Sequence, residues 1–288
     1  MLTESGEILD CKLRGKFRVQ ELKSTNPVAV GDIVRIELEE KSASITEIEK
    51  RRNYILRKSV NLSARMHILC ANVDQALILF TIANPVTTLG YVDRLLVSCE
   101  AYGIKAVVIF NKMDKLESDK ELQKLREFAA TYSQIGYQVI MTNAKDAKHR
   151  DNLVGILKDK VSFVVGRSGA GKSTLINLAE PMLKLKTSDT SGGEGRGRHT
   201  TTYAEMFNLS FGGSIIDSPG FREMEIYDIR KDELAHFFPE MLQALPSCKY
   251  KNCNHVNEPG CRVRAAVEKG QISESRYHTY LGMLQEVE

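Results

Sequence analysis

Gly166-Arg167-Ser168-Gly169-Ala170-Gly171-Lys172-Ser173 fits the pattern G-x-x-x-x-G-K-[ST]. Its glycines let the backbone curl so that successive N–H groups face phosphate oxygens, and a helix start behind the loop adds partial positive charge. In such a loop Lys172 reaches the β- and γ-phosphate oxygens, and the Ser173 hydroxyl ligates Mg²⁺. The context agrees: an apolar strand-like run, Val161–Val165, precedes the loop, and helical spacing follows over Thr174–Ala179.

That loop specifies phosphate and leaves the base open. Asn111-Lys112-Met113-Asp114 follows the apolar run Ala106–Phe110 and matches N-K-x-D, whose aspartate accepts both donors of the guanine N1/N2 edge. Adenine offers no such pair and would leave a carboxylate without partners. Thr142-Asn143-Ala144-Lys145, after Val139–Met141, resembles the S-A-K loop, with Asn143 in the serine position; the base contact there is through backbone N–H. Asp217-Ser218-Pro219-Gly220 matches D-x-x-G, in which the aspartate holds a Mg²⁺-bound water and the Gly220 N–H senses the γ-phosphate. Between them lies Gly195-Arg-Gly-Arg-His199-Thr200-Thr201-Thr202, where a magnesium-coordinating switch threonine is expected, Thr201 before Thr200. Phe221 occupies the position in which many GTPases carry a water-orienting glutamine, so slow intrinsic hydrolysis is expected. His199 is the nearest replacement, since imidazole can polarise water near neutral pH; a solvated loop histidine is the other reading.

In ordinary small GTPases the phosphate loop comes first. Here the order is N-K-M-D, T-N-A-K, phosphate loop, H-T-T-T, D-S-P-G, a circular permutation. Residues 146–160 would join the old termini, and the new break falls after D-S-P-G, so switch II would run directly into the C-terminal unit and could move it.

A second chemistry lies there. Cys248-x4-Cys253-x-His255-x5-Cys261 supplies three thiolates and one imidazole, a closed Cys₃His set for structural zinc. Lys249, Lys251, Arg262 and Arg264 flank it and suit docking on phosphate. Cys11, Cys70 and Cys99 are scattered in apolar surroundings and read as small buried hydrophobes rather than disulfide partners.

The elements that must position these groups follow from the apolar pattern. Continuous runs at Ala76–Ile82, Ala106–Phe110, Val139–Met141 and Val161–Val165, separated by helical spacing, predict a parallel sheet covered on both faces. Tyr203–Leu209 and Ser214–Ile216 around Gly212-Gly213 predict a hairpin, and Ser188–Thr202 a mobile loop. Before them, Leu9/Cys11/Leu13 and Val34/Ile36/Leu38 alternate with polar residues, the period of half-buried strands in a small barrel of OB type. Basic residues cluster there at Lys12/Arg14/Lys16/Arg18 and at Lys50/Arg51/Arg52/Arg57/Lys58, which read either as a nucleic-acid surface or as solvated strand faces. Asp232–Phe238 and residues 273–288 read as helical. The expected division is an OB-fold RNA-binding domain at 1–66, a circularly permuted α/β GTPase domain at 67–224 and a mainly α zinc-knuckle domain at 225–288.

With 288 residues, 42% apolar and 27% charged, the chain has an ordinary globular composition, and a net charge of +3 leaves anionic partners to local basic patches. No basic-then-apolar leader opens it, and its apolar runs are too short to span a bilayer, so a cytoplasmic monomer without a membrane partner is expected.

The N-terminal OB-like unit, N-K-x-D ahead of GxxxxGKS, GRGRHTTT with DSPG, and C-x4-C-x-H-x5-C together resemble the RsgA (YjeQ/YloQ) family of circularly permuted GTPases, over essentially the whole chain. The resemblance implies binding of GTP and GDP, docking on the 30S ribosomal subunit through 16S rRNA, and GTP hydrolysis stimulated by that subunit. It also implies a role in late maturation of the decoding region, with release on hydrolysis. The family carries a hydrophobic residue where Phe221 stands, and a switch histidine matching His199 has been proposed as catalytic, beside Lys172 and Asp217. The rival reading is an RNA-binding assembly scaffold with a vestigial nucleotide pocket, which the intact Lys172, Ser173 and Asp217 disfavour. A zinc hydrolase is disfavoured by the absence of an open metal position.

Overall fold

The computed structural model describes residues 1–3, 5–13, 27–39, 42–58, 66–187, 204–217 and 229–287. The N-terminal unit is built of short strands, as the alternation predicts. β1 (Cys11–Leu13) runs parallel to β3 (Ser42–Ile48), and β3 pairs antiparallel with β2 (Val34–Glu39), whose register slips between Arg35 and Ile36. Leu38, expected on the inner face, stands 71% exposed. β4 (Tyr54–Lys58) pairs antiparallel with β5 (Met66–Ala71). The expected boundary between residues 66 and 67 falls within β5, and Ile55, Leu69 and Cys70 of this pair enter the core of the next unit. Two cations of the second basic cluster are held internally: Arg51 Nε donates to Asp32 Oδ1 (2.7 Å), and Arg52 donates to Asp74 (2.8 Å).

The central unit is a sheet in the order β10-β11-β9-β6-β7-β8. β6 (Gln75–Phe80), β7 (Lys105–Phe110), β8 (Gln138–Met141), β9 (Val161–Gly166) and β11 (Ser214–Asp217) are parallel, and only β10 (Glu205–Asn208) opposes its neighbour. α1 (Leu89–Ala101) and α2 (Asp119–Ile135) connect β6, β7 and β8 and cover one face. Ile78, Phe80, Val108 and Phe110 pack there against Val92, Leu96, Leu125 and Tyr132. The alternate residues, Leu77, Leu79, Val107 and Ile109, meet α3 (Arg150–Leu157) and α4 (Lys172–Ala179) through Leu153, Ile156 and Leu175. The stretch expected merely to join the old termini is thus itself a helical element of the core. Asp146 supports its entry by accepting from Lys148 N. The β10–β11 hairpin forms as expected. At Gly213 (φ 83°) a Cβ would lie 2.6 Å from main-chain atoms of Lys160, so only glycine fits that turn.

The C-terminal unit contains α5 (Pro239–Leu242), α6 (Arg262–Glu268) and α7 (Glu274–Glu286). Within Asp232–Phe238, read as helical, the chain forms a turn and then a 3₁₀ segment, Leu234–Phe237; Pro239 behind it starts the next helix. Phe238, Met241, Val263, Tyr280 and Met283 form a third core, into which Val97 of α1 also inserts. Among the described residues no helix is long and apolar enough to cross a membrane.

Candidate functional site

The loops after β9, β7 and β8 all leave the carboxyl edge of the parallel sheet. From β6 the chain proceeds outward through β7 to β8, whereas from β9 it proceeds the other way to β11. Such a reversal leaves a crevice at the strand ends, the usual ligand position in an open α/β sheet. The structure therefore brings Gly166–Thr174, Asn111–Asp114 and Thr142–Lys145 to one edge.

Asn111 ties these loops together. Its side chain is buried; Nδ2 donates to Ala170 O (2.8 Å) and Oδ1 accepts from Ala144 N (3.2 Å). Gly171 completes the contact: with φ at 96°, a Cβ there would stand 2.5 Å from Asn111 Nδ2. The T-N-A-K loop is further fixed by Met113 N donating to Thr142 O (3.3 Å) and by Asn143 Oδ1 accepting from Lys145 N (3.0 Å). Ala144 is buried, while Asp114 and Lys145 are exposed at the mouth.

Within the phosphate loop, Ala170 N donates to Arg167 O (3.1 Å), Ser168 is exposed and Gly169 half-buried. Lys172 opens α4, and its Nζ donates to Gly166 O (2.8 Å) and Arg167 O (3.2 Å), folding the ammonium back over the loop. Ser173 and Thr174 follow, half-buried. Burial pushes the Lys172 ammonium below the usual lysine range, and the charge of Asp217 opposes that shift. Asp217 ends β11 beside β9, which places a carboxylate next to the phosphate-loop lysine. His199, Thr200, Thr201, Gly220 and Phe221 lie outside the described residues.

Sequence reasoning passed over the segment after β6. Lys112 has φ at 63° and ψ at 41°, and its Nζ donates to Asn84 O (2.7 Å). Arg167 donates to Val86 O (2.9 Å). The clustered Asn84-Pro85 and Thr87-Thr88 are turn residues, but nothing in them names their partners.

The Cys/His cluster assembles as its spacing predicts. The Sγ atoms of Cys248, Cys253 and Cys261 and a ring nitrogen of His255 all lie within 4.8 Å of one another. His255 Nδ1 is 3.4 Å from Cys261 Sγ and 3.8 Å from Cys248 Sγ. Tetrahedral ligands at about 2.0–2.3 Å from an ion stand roughly 3.5–3.8 Å apart, so the donor set fits a metal ion. Arg262 N and Arg264 N donate to Cys248 and Cys261 sulfur, which orients the two side chains, and Tyr277 O–H donates to His255 O (2.6 Å), fixing the ring's backbone. Burial pushes His255 below the usual histidine range, toward the neutral imidazole that binds metals.

The C-terminal unit docks on α1 through groups that sequence reasoning also missed. Arg276 is fully buried: its Nη1 donates to Asp93 Oδ1 (3.0 Å), and Nε and Nη2 donate to Glu240 (2.8 and 3.1 Å). Tyr132 O–H and Thr279 O–H complete the shell of Asp93, both at 2.9 Å. The guanidinium also stacks 4.8 Å from the Phe238 ring.

Comparison with known proteins covers nearly the whole chain. A family profile described as RsgA GTPase matches residues 48–227, and one described as RsgA N-terminal domain matches residues 2–45. A small ribosomal subunit biogenesis GTPase RsgA from Flavobacterium johnsoniae is 46% identical, over 98% of this chain and 88% of that protein. The crystal structure of YjeQ from Thermotoga maritima superposes with a TM-score of 0.80 at 38% identity, covering 99% of this chain and 91% of that one. YloQ, titled a circularly permuted GTPase, gives 0.76 at 29% identity, covering 99% and 88%.

Proposed function

Because this chain belongs to the RsgA GTPase family, we propose that its carboxyl-edge crevice binds GTP and hydrolyses it to GDP and phosphate in association with the small ribosomal subunit, whose late maturation it assists. The observation that carries the reading is the buried Asn111, which holds a guanine-type turn, its companion loop and a phosphate loop at one sheet edge.

In this reading the Asp114 carboxylate accepts the guanine N–H pair, with Asn111 and Lys112 supporting the turn and Asn143, Ala144 and Lys145 framing the base. Residues Gly166, Arg167, Ser168, Gly169, Ala170, Gly171, Lys172, Ser173 and Thr174 cradle the phosphates, and Lys172 follows charge onto the β–γ bridge as it breaks. Ser173, Thr201 or Thr200, and Asp217 through water would hold magnesium, which would supply positive charge against the phosphates. Gly220 N–H senses the γ-phosphate, and His199 orients the attacking water, a task the Phe221 ring cannot perform. Turnover consequently waits for the subunit.

Zinc is the ion we assign to Cys248, Cys253, His255 and Cys261: all four positions are protein ligands of the N/S type, so the site serves structure. We further assign 16S rRNA as the contact on the subunit, a monomeric state and a cytoplasmic location. The division at 1–66, 67–224 and 225–288 stands with them, subject to the sharing of β4 and β5 noted above.

The test is GTP turnover with and without purified small subunits. Strong stimulation is expected, and its absence would refute the reading. The scaffold alternative requires tight subunit binding without single-turnover hydrolysis.

A further inference from the structure

The segment 81–88 belongs to no motif of the nucleotide site, yet it holds cations from two of them. Lys112 of the base turn donates to Asn84 O (2.7 Å), and Arg167 of the phosphate loop donates to Val86 O (2.9 Å). The stem of Lys112 runs along the phosphate loop, with Cε 4.0 Å from where a Gly171 Cβ would stand. Both acceptors are neutral carbonyls. A carboxylate in either place would cancel the cation's charge, whereas a carbonyl directs the N–H group and leaves the positive field for an anionic ligand.

Carbonyls can direct a side chain only if their own backbone is fixed, and here two buried threonines fix it. Thr81 Oγ1 donates to Pro85 O (2.5 Å), Thr87 N donates to Thr81 O (2.9 Å), and Thr87 Oγ1 accepts from Thr81 N (3.3 Å). Thr81 is 0% and Thr87 3% exposed, while Asn84 and Val86 face outward. The hydroxyls therefore close a small internal frame whose outer carbonyls face the two cations. Asn84 itself has φ at 45°, a conformation that few residues besides Asn and Gly hold readily.

We propose that residues 81–88 form a carbonyl clamp that sets the positions of Lys112 and Arg167 for nucleotide binding, with Thr81 as its positioning residue. The clamp rests on the reading of the crevice as a GTP site. It adds to that reading a segment that touches the nucleotide only through the side chains it holds.

The experiment measures dissociation of a fluorescent GDP analogue, together with thermal stability, in the full chain. Thr81→Val removes the hydroxyl at constant volume and should speed release by about tenfold, the scale of a lost hydrogen bond to a charged group; Thr81→Ser should restore slow release. Asn84→Val, at an exposed position outside the core, puts a β-branched residue where φ is 45°, so it should shift the Asn84 carbonyl and speed release, which keeps the test decisive if Thr81→Val does not fold. Adding Lys112→Met to Asn84→Val should cost less than it does alone, because both act through one contact. Unchanged release in a folded Thr81→Val or Asn84→Val protein, or strictly additive effects with Lys112→Met, would overturn the clamp. If the wild-type chain fails to bind the analogue at all, the GTP-site reading itself falls, and the clamp with it.

Discussion

Asn111 Nδ2 donates to the main-chain oxygen of Ala170 across 2.8 Å, so the N-K-M-D turn is bonded directly to the G-x-x-x-x-G-K-S loop. The same side chain accepts from Ala144 N, and at 4% exposure both bonds are shielded from solvent. In the proposed reading, a nucleotide entering this edge would meet both halves already in register.

Asn111→Ala should therefore weaken binding and stability together. Two buried groups lose their partners, at about 1–3 kcal/mol each. Denaturant midpoints and GDP-analogue affinity should fall in parallel, and Gly171→Ala should mimic the affinity loss by forcing Asn111 out of place.

Asp114→Asn should change which base is preferred rather than whether a nucleotide binds. The amide donates where the carboxylate accepted, which suits the extra oxygen of xanthine. Competition between GTP and xanthosine triphosphate reads this; a variant that still prefers GTP would contradict the role given to Asp114. Lys172→Ala should remove hydrolysis altogether.

Nucleotide affinity should decline at alkaline pH. Burial holds the Lys172 ammonium below the usual lysine range in the free protein, and Lys112 shifts in the same direction through burial. Bound phosphate favours the charged form and raises the pKa, so binding takes up a proton between the two values. Affinity is then flat below the free-state pKa and falls as pH climbs through the window. A fluorescence titration from neutral pH upward checks the sign, and a rise would contradict it.

Arg276→Met should release the C-terminal unit from α1. It leaves Asp93 buried with its ion-pair partner gone, at a cost of about 3–5 kcal/mol. Limited proteolysis should then cut between the central and C-terminal units, whereas Asp93→Asn combined with Arg276→Met should regain part of the loss.

Cys253→Ser, or a strong chelator, should unfold the C-terminal unit and leave GDP-analogue binding nearly intact. The cluster and the crevice share no residue, so the two readouts separate. Metal content by mass spectrometry, with Cys11→Ser as control, completes the test.

The local features were legible and the long-range ones were not. Glycines at fixed offsets before Lys172 announce a phosphate loop because the constraint lies within eight residues. The continuous apolar runs of β6, β7 and β9 announce buried parallel strands for the same reason. Arg276 and Asp93 stand 183 residues apart, and each has the look of a solvated helix charge until the fold buries both. Thr81 lies inside the run Ala76–Ile82 read as a strand and Thr87 belongs to no motif, and the carbonyls they steady carry no side-chain label. Arg51, read within a basic cluster, is consumed by Asp32, a partner that only the folded sheet supplies.

The placing of β6 between β7 and β9 also sets an order on the birth of the molecule. As the chain is synthesised, β6 finds β7 within about 30 residues, but its other neighbour arrives more than 80 residues later, when Ser162 comes to face Gln75. Until then a strand buried along its whole length in the finished sheet carries an open edge, and the Gln75 amide lacks the Ile156 and Ser162 acceptors that it uses there. The strand that carries the G-x-x-x-x-G-K-S loop is thus also the one that covers this edge of β6.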